Sequence, residues 1–418
     1  MNAEIICIGD ELLIGQTVNT NAAFIGSALN ENGFSVIQSL SISDQPEAIT
    51  TALDAAMGRS RLVVLTGGLG PTRDDLTKHT LTAYFGAKLI SDTATLERIE
   101  GFFKARNLPM LEINRQQAMV PDNCTVLHNL KGTANGMWFE KNDTIVVSLP
   151  GVPYEMKWLM EHEVLPRLIA RNTGHVIVNR TYLTQGVGES FIAEKLKDWE
   201  DDLRKQGLGL AYLPSPGQVK LRLSTSGSDR NALNSTLDHY ENQLIARIGD
   251  IIYGHDKETL PDIIHSLMTT RNLTLAVAES CTGGKILKEL TAVAGASQYL
   301  KGGCVAYSKE MKMNVLNVET GTVHHHIYSE TCALEMARGM RNLAGADIAI
   351  ATTGVAGPGA DPEYPSVNPG FVALAIAGRD WQWTGSGQFG RERLRVIEMA
   401  GNSLLFQLRK EILQRFEI

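Results

Sequence analysis

The chain has 418 residues, 43% of them apolar and 20% charged, with a formal net charge of −7. That length exceeds one ordinary hydrophobic core and predicts two or three domains, and the composition excludes a largely disordered protein. With an acidic balance and no Lys/Arg block, a non-specific nucleic-acid surface is disfavoured, although a local pocket for a phosphorylated small molecule is not.

The opening MNAEIICIGDE lacks the basic region and long apolar core of a secretory signal, and no apolar run reaches the length of a bilayer span. Cys7, Cys124, Cys281, Cys304 and Cys332 are odd in number and contain no C-x-x-C pair. A cytoplasmic protein without disulfides, structural zinc or membrane contact is expected.

Strand and helix signals alternate from the start. EIICIG reads as a buried strand, NTNAAFIGSALNENG (19–33) as an amphipathic helix, FSVIQSLSI as a strand, QPEAITTALDAAMG as a helix, and RLVVLTGG as a strand entering a glycine-rich turn. TIVVSLPG adds a strand and 153–171 a helix. Such alternation predicts a mostly parallel sheet covered on both faces, a three-layer α/β domain over 1–173. From Val176 the order becomes β-α-β-β-α-β, a small α+β domain over 174–255. GHDKETLPD (254–262) is polar, contains Pro261 and reads as a linker into a second α/β domain over 256–418.

Two turns share the pattern T-G-x-x-G-P-x-x-D: TGGLGPTRDD at 66–75 and TGVAGPGADP at 353–362. Each follows a buried strand, which places backbone N–H groups at the carboxyl end of a sheet, where open α/β sheets bind ligands. The plainer alternative is that both are tight turns.

LAVAESCTGGK (275–285) runs an apolar strand into Glu279, Ser280, Cys281 and Thr282, then two glycines and a helix-forming segment. Free N–H groups at a helix start can hold an anion or oxyanion, so this turn can cradle a phosphate, present a nucleophile or only cap the helix. Downstream, Tyr307, Ser308 and Lys312 follow the strand-like CVAYS. A hydroxyl nucleophile needs a base, and no histidine lies in these motifs; a lysine kept neutral by burial can serve. Lys312 is the candidate base and Tyr307 its relay or orienter. On spacing alone, the same residues also read as a cap, a half-buried tyrosine and a solvated lysine. Cys281 is the rival nucleophile, although small buried cysteines are commonly inert. His324, His325 and His326 point in different directions on any regular backbone and read as a surface loop, not a metal site. In the first domain Asp10 and Glu11 follow one strand and Asp74 and Asp75 another turn. These carboxylates could hold a divalent cation, or Asp74 could cap the helix DLTKHTLTAYFG.

Taken together, GDELLIGQ…NTNA, LTGGLGPTRDDLTK, NRQQA…GTANG, LPGVPYEMK, AESCTGG, GGCVAYSKEMK and TTGVAGPG resemble the CinA (competence/damage-inducible protein A) family, and the resemblance covers essentially the whole chain. It implies an N-terminal molybdopterin-binding-like domain, a central KH-like domain and a C-terminal nicotinamide-mononucleotide amidohydrolase releasing nicotinate mononucleotide and ammonia. On that resemblance Ser280 is the nucleophile and Lys312 the base, with Tyr307 assisting and Thr353 near the site. An arginine late in the chain joins them, taken as Arg391, with Arg393 and Arg395 as alternatives. Thr282, Gly283, Gly284, Gly303, Ser308 and Gly354 would contact substrate, and no cofactor is implied there. Glu279 would cap the turn or balance a pyridinium charge.

The N-terminal domain of the family is associated with metal-dependent hydrolysis of ADP-ribose. That implies a divalent cation at Asp10, Glu11, Asp74 and Asp75, with phosphates at Thr66, Gly67, Gly68 and Gly70. Small-molecule nucleotides and a second copy in a homodimer are the expected partners. RNA is not, because GVGES (186–190) is no G-x-x-G clamp. Two departures stand out: Gly390 replaces the aspartate the family often has before the late arginine, and ADPEYPSVNPG is longer than usual. The competing readings are an enzyme active only in its N-terminal pyrophosphatase and a non-enzymatic adaptor linked to competence or DNA damage.

Overall fold

The computed structural model describes residues 1–72, 75–171, 174 and 176–416. The chain forms two compact units, Met1–Asn179 with Thr225–Thr236, and Arg180–Ser224 with Leu237–Ile418.

The N-terminal sheet grows outward from Asn2–Ile8, which is buried from Ala3 onward. It pairs in parallel with Ser35–Ile42 on one side and Leu62–Thr66 on the other. Thr144–Leu149 adds a further parallel strand, and Gly136–Lys141 and Thr125–Leu127 close the sheet antiparallel. Alternate residues of each strand serve opposite cores: Ile5, Val64 and Val147 pack with helices Thr20–Glu31 and Pro153–Leu159. Ile6, Val63, Leu65 and Val146 pack with Pro46–Met57 on the other face. Continuous apolar runs are what a sheet covered on both sides requires, and the three-layer α/β expectation holds.

Three local expectations differ. The helix over 153–171 contains a π-type turn at Met160–Val164. The helix expected over 75–86 with Asp74 as cap begins at Thr77, with Leu76 as its cap, and Asp74 itself lies outside the described residues. The antiparallel strands 125–127 and 136–141 escaped the reading because each is short and follows no long periodic segment.

The β-α-β-β-α-β segment is present, its four strands ordered Gly209–Ser215, Gln218–Gly227, Val176–Gln185, Ile252–His255. The expected linker is shorter than 254–262. Thr259 and Asp262 form a reciprocal capping box, and Pro261 sits in the first turn of helix Leu260–Thr270, where a missing N–H costs nothing.

The C-terminal sheet is ordered Leu300–Val305, Leu275–Glu279, Ile348–Gly354, Phe371–Ala377, Gln382–Gln388. The first three strands are parallel and the last two antiparallel. One face is built of small residues, Ala276, Ala278, Ala349, Ala351, Ala373 and Ala375, packed with helix Glu330–Ala344. That helix in turn meets helix Lys309–Leu316 at Gly339, where a Cβ would lie 1.9 Å from the Leu316 carbonyl oxygen. Only a residue without a side chain permits the approach, and it sets the position of the helix that carries Lys312. Among the described residues no helix is long and apolar enough to cross a membrane.

Candidate active site

Strand Leu275–Glu279 ends at a buried carboxylate. Glu279 is fully enclosed, and its two oxygens accept from the N–H groups of Gly284 at 2.9 Å, Ile286 at 3.3 Å and Leu287 at 2.9 Å. These are orphan donors of helix Lys285–Ala292, and the carboxyl oxygens of Glu279 satisfy them. The chain between strand and helix is drawn into a tight turn, with Gly283 and Gly284 at φ 61° and 98°. Ser280 sits at its head, 5% exposed. The expected oxyanion donors at this helix start are therefore occupied by Glu279.

Lys312 lies one turn inside helix Lys309–Leu316, whose cap is Ser308, accepting from the Met311 N–H at 3.2 Å. Its ammonium is 1% exposed and donates to Ser280 Oγ at 3.0 Å, to the Ala306 carbonyl at 2.7 Å and to that of Tyr307 at 3.3 Å. Burial pushes the Lys312 pKa below its ordinary value, against the opposing pull of nearby Cys332 and Cys281. In the neutral form two N–H groups keep the two carbonyls, and the nitrogen lone pair is left facing the Ser280 hydroxyl, which then donates to it. Cys281, one residue on, is no competitor: burial raises its thiol to about 12, so the thiolate is absent near neutrality.

A cavity of about 340 Å³ opens above this pair. Ser280, Cys281, Lys312, Tyr307, Gly354 and Arg393 contribute to its wall, together with Tyr328, Asp361 and the Val355–Gly357 turn. Arg393 donates to the Gly357 carbonyl and to the Tyr307 hydroxyl, both at 3.0 Å. The arginine of the site is thus Arg393; Arg391 is exposed and lays only its backbone carbonyl against Gly357. Arg395 is exposed and also absent from the wall. Thr353 turns away, donating to the Ile327 carbonyl at 2.8 Å. Its neighbour Thr352 meets the Ser280 turn instead, accepting from the Ser280 N–H at 3.4 Å and bonding the Thr282 hydroxyl at 2.8 Å.

Other expected substrate contacts are structural. Thr282, Gly283 and Gly284 shape the turn, Ser308 is a cap, and Gly303 lets its strand pass Val277, whose carbonyl would be 2.3 Å from an added Cβ. Tyr328 and Asp361 were missed, although Asp361 occupies the aspartate position of the repeated glycine-turn pattern. The three histidines are exposed on the last turn of helix Thr320–His326, not on a loop.

In the N-terminal unit Gly70, Thr72, Asp75, Lys78, His79 and Gln116 help line a cavity of about 450 Å³. Asp75 staples the glycine turn, accepting from the Thr72 N–H at 2.9 Å and hydroxyl at 2.5 Å. Lys78, which spacing did not reveal, is lowered to about 8 by burial, against the pull of Asp75; it donates to the Gln116 carbonyl at 3.2 Å. Thr66 is engaged with the Pro150 carbonyl and Asn21. An added Cβ at Gly67 or Gly68 would strike Ile8 or Thr77. Asp10 and Glu11 are exposed at the start of the short helix Asp10–Leu13. Asp44, also missed, has its pKa raised by burial and by the charges of Asp10, Glu11 and Asp75. The described carboxylates therefore share one electrostatic field, but among the described residues no three ligand-type side chains gather on one ion-binding point. The expected cation has no complete cage among them.

Residues 4–170 match the "Probable molybdopterin binding domain", 179–254 the "Damage-inducible protein CinA KH domain" and 257–412 the "CinA C-terminal domain". A CinA-like protein of Flavobacterium psychrophilum is 43% identical over 422 residues, covering all of both chains. The chain belongs to the CinA family. A relative from Caldicellulosiruptor bescii, named among competence-damage inducible proteins, is 40% identical over 99% of this chain and 100% of its own. The solved CinA structure from Thermoplasma acidophilum, titled as of unknown function, is 37% identical; the match covers 40% of this chain and 97% of that one, with a TM-score of 0.37. In this CinA-family chain, Glu279→Gln replaces a charged acceptor of three helix-start donors by a neutral amide. It should cost about 2–3 kcal/mol, read as a lowered urea midpoint at unchanged m-value.

Proposed function

We propose that the C-terminal cavity hydrolyses the carboxamide of nicotinamide mononucleotide, releasing nicotinate mononucleotide and ammonia. The observation that carries this reading is the buried Lys312 Nζ at 3.0 Å from Ser280 Oγ, with two carbonyls holding its remaining N–H groups. Ser280 Oγ attacks the carboxamide carbon as its proton passes to neutral Lys312. The oxyanion so formed falls to backbone N–H groups of the Ala356–Gly357 turn across the cavity, because Glu279 occupies those of the helix start. When the C–N bond breaks, Lys312 returns the proton to the leaving nitrogen and ammonia departs, leaving an ester on Ser280. Water then attacks that ester by the same proton path, giving the carboxylate and free Ser280. Arg393 and Tyr307 at the mouth suit the nucleotide's phosphate or ribose.

Ammonia release from nicotinamide mononucleotide in excess chelator tests this directly. Wild type should release it, and Ser280→Ala should lose at least about 10³-fold in kcat with an unchanged melting temperature. A folded wild-type protein that releases none sinks the assignment.

The base also prescribes a pH profile. Only neutral Lys312 accepts the proton, so kcat/KM should climb as pH rises through a pKa below the ordinary lysine value of about 10.4. The unfolded chain holds this proton more tightly, so the contribution of Lys312 to stability likewise grows from the folded pKa up to the unfolded one. Lys312→Arg, permanently charged, should lose about 10²–10⁴-fold in rate at every pH; an active arginine variant with an unaltered profile would remove Lys312 from the role of base.

A second reading, cleavage of ADP-ribose in the N-terminal unit, is favoured by the cavity that sets Lys78 beside the glycine turn and Asp75. Lys78 would neutralise a phosphate there. Lys78→Met should raise KM for ADP-ribose about tenfold or more while ammonia release continues, and added chelator should abolish only the ADP-ribose activity.

A further inference from the structure

The proposed substrate carries a positive charge on its ring nitrogen, and the ring must lie beside Ser280 for its carboxamide to be attacked. An uncompensated cation in a half-enclosed cavity is costly. Glu279 is the nearest acid in sequence to the nucleophile, yet its carboxylate is fully enclosed and committed to three backbone donors. The single carboxylate among the residues that line the cavity is Asp361.

Asp361 is held at the cavity wall from two sides. Its Oδ2 accepts from the Tyr328 hydroxyl at 2.5 Å, and its Oδ1 accepts from the Glu363 N–H at 3.0 Å. Tyr328 also lines the cavity. Burial, and then the bond to Asp361, raise the Tyr328 pKa far above the usual phenol value, so the hydroxyl remains a donor. Both bonds fix the orientation of the carboxylate at the wall. The remaining charged groups of the wall are Lys312, neutral in the working state, and Arg393. A ligand with a cationic ring and an anionic phosphate is thus offered one fixed anion and one fixed cation.

We propose that Asp361, positioned by Tyr328, is the specificity-determining residue that selects a cationic, N-substituted pyridinecarboxamide over its neutral counterpart. This rests on the deamidase reading of the same cavity. The selection also serves reactivity, because a quaternised ring nitrogen withdraws electrons from the carboxamide carbon and eases attack by Ser280. Neutral nicotinamide lacks both the charge and that activation, and is excluded as a substrate by the same residue.

Reduced nicotinamide mononucleotide keeps the ribose phosphate and carboxamide but has an uncharged ring. Titration calorimetry of full-length Ser280→Ala with both forms reads the charge term without turnover. The oxidised form should bind about tenfold or more tighter than the reduced form. Adding Asp361→Asn should bring the ratio toward one by weakening the oxidised form alone, and adding Tyr328→Phe should lower it part of the way. Equal weakening of both forms would make Asp361 merely structural. An unchanged ratio in both double variants, or no binding of the oxidised form by Ser280→Ala, would overturn the assignment. Ammonia release by wild type from the same preparation separates the two claims. A charge-dependent ratio without ammonia leaves Asp361 standing and removes the deamidase, and ammonia with an indifferent ratio does the reverse.

Discussion

The enclosed carboxylate of Glu279 is the constraint on which the C-terminal site depends. A helix beginning inside a protein presents donors that water cannot reach, and leaving them unpaired would cost more than most single contacts return. Glu279 meets three of them at once, which ties the end of strand Leu275–Glu279 to the first turn of helix Lys285–Ala292. The five residues between must fold tightly, with two glycines at positive φ, and Ser280 is carried to the surface of the cavity by that geometry. The same bonds commit these helix-start donors to Glu279 and leave them unavailable to a ligand.

A lysine will lie within the core only where its N–H groups are satisfied and its charge can be given up. The Ala306 and Tyr307 carbonyls provide the first condition and burial the second. Three packing details bring Lys312 to that place: the Ser308 cap that sets the helix phase, the alanine face that lets helix Glu330–Ala344 settle on the sheet, and Gly339, which admits the Leu316 carbonyl. None of the three touches Ser280. Each helps decide whether the Lys312 amine lies buried beside Ser280 or out in solvent.

The two glycine turns with the same pattern end buried strands in different units, and each lines a cavity. Their surroundings diverge through the neighbours the fold supplies. The C-terminal turn shares its cavity with the Ser280 hydroxyl, the buried Lys312 amine and the Asp361 carboxylate. The N-terminal turn is stapled by Asp75 and faces Lys78, lowered to about 8 but still largely charged at neutral pH. A strand-end loop offers backbone donors in both cases, and the side chains that share its cavity differ.

The layered α/β architecture, the β-α-β-β-α-β segment and the Ser280, Tyr307 and Lys312 set were legible in the sequence, because apolar periodicity and motif residues are local properties. Thr352 against Thr353 was not, since neighbouring strand residues face opposite sides and spacing does not say which side is the cavity. Nor was Arg393 against Arg391, where one turn of chain before a helix sets the choice. Asp44 and Tyr328 lie in no motif, and Lys78 and Asp361 lie at motif positions that do not name a role; all four become functional candidates only through what the folded chain sets beside them. Glu279 illustrates the division most clearly. That an acid precedes Ser280 is written in the sequence, but whether it faces the cavity or a helix start depends on which buried donors the folded chain leaves unpaired.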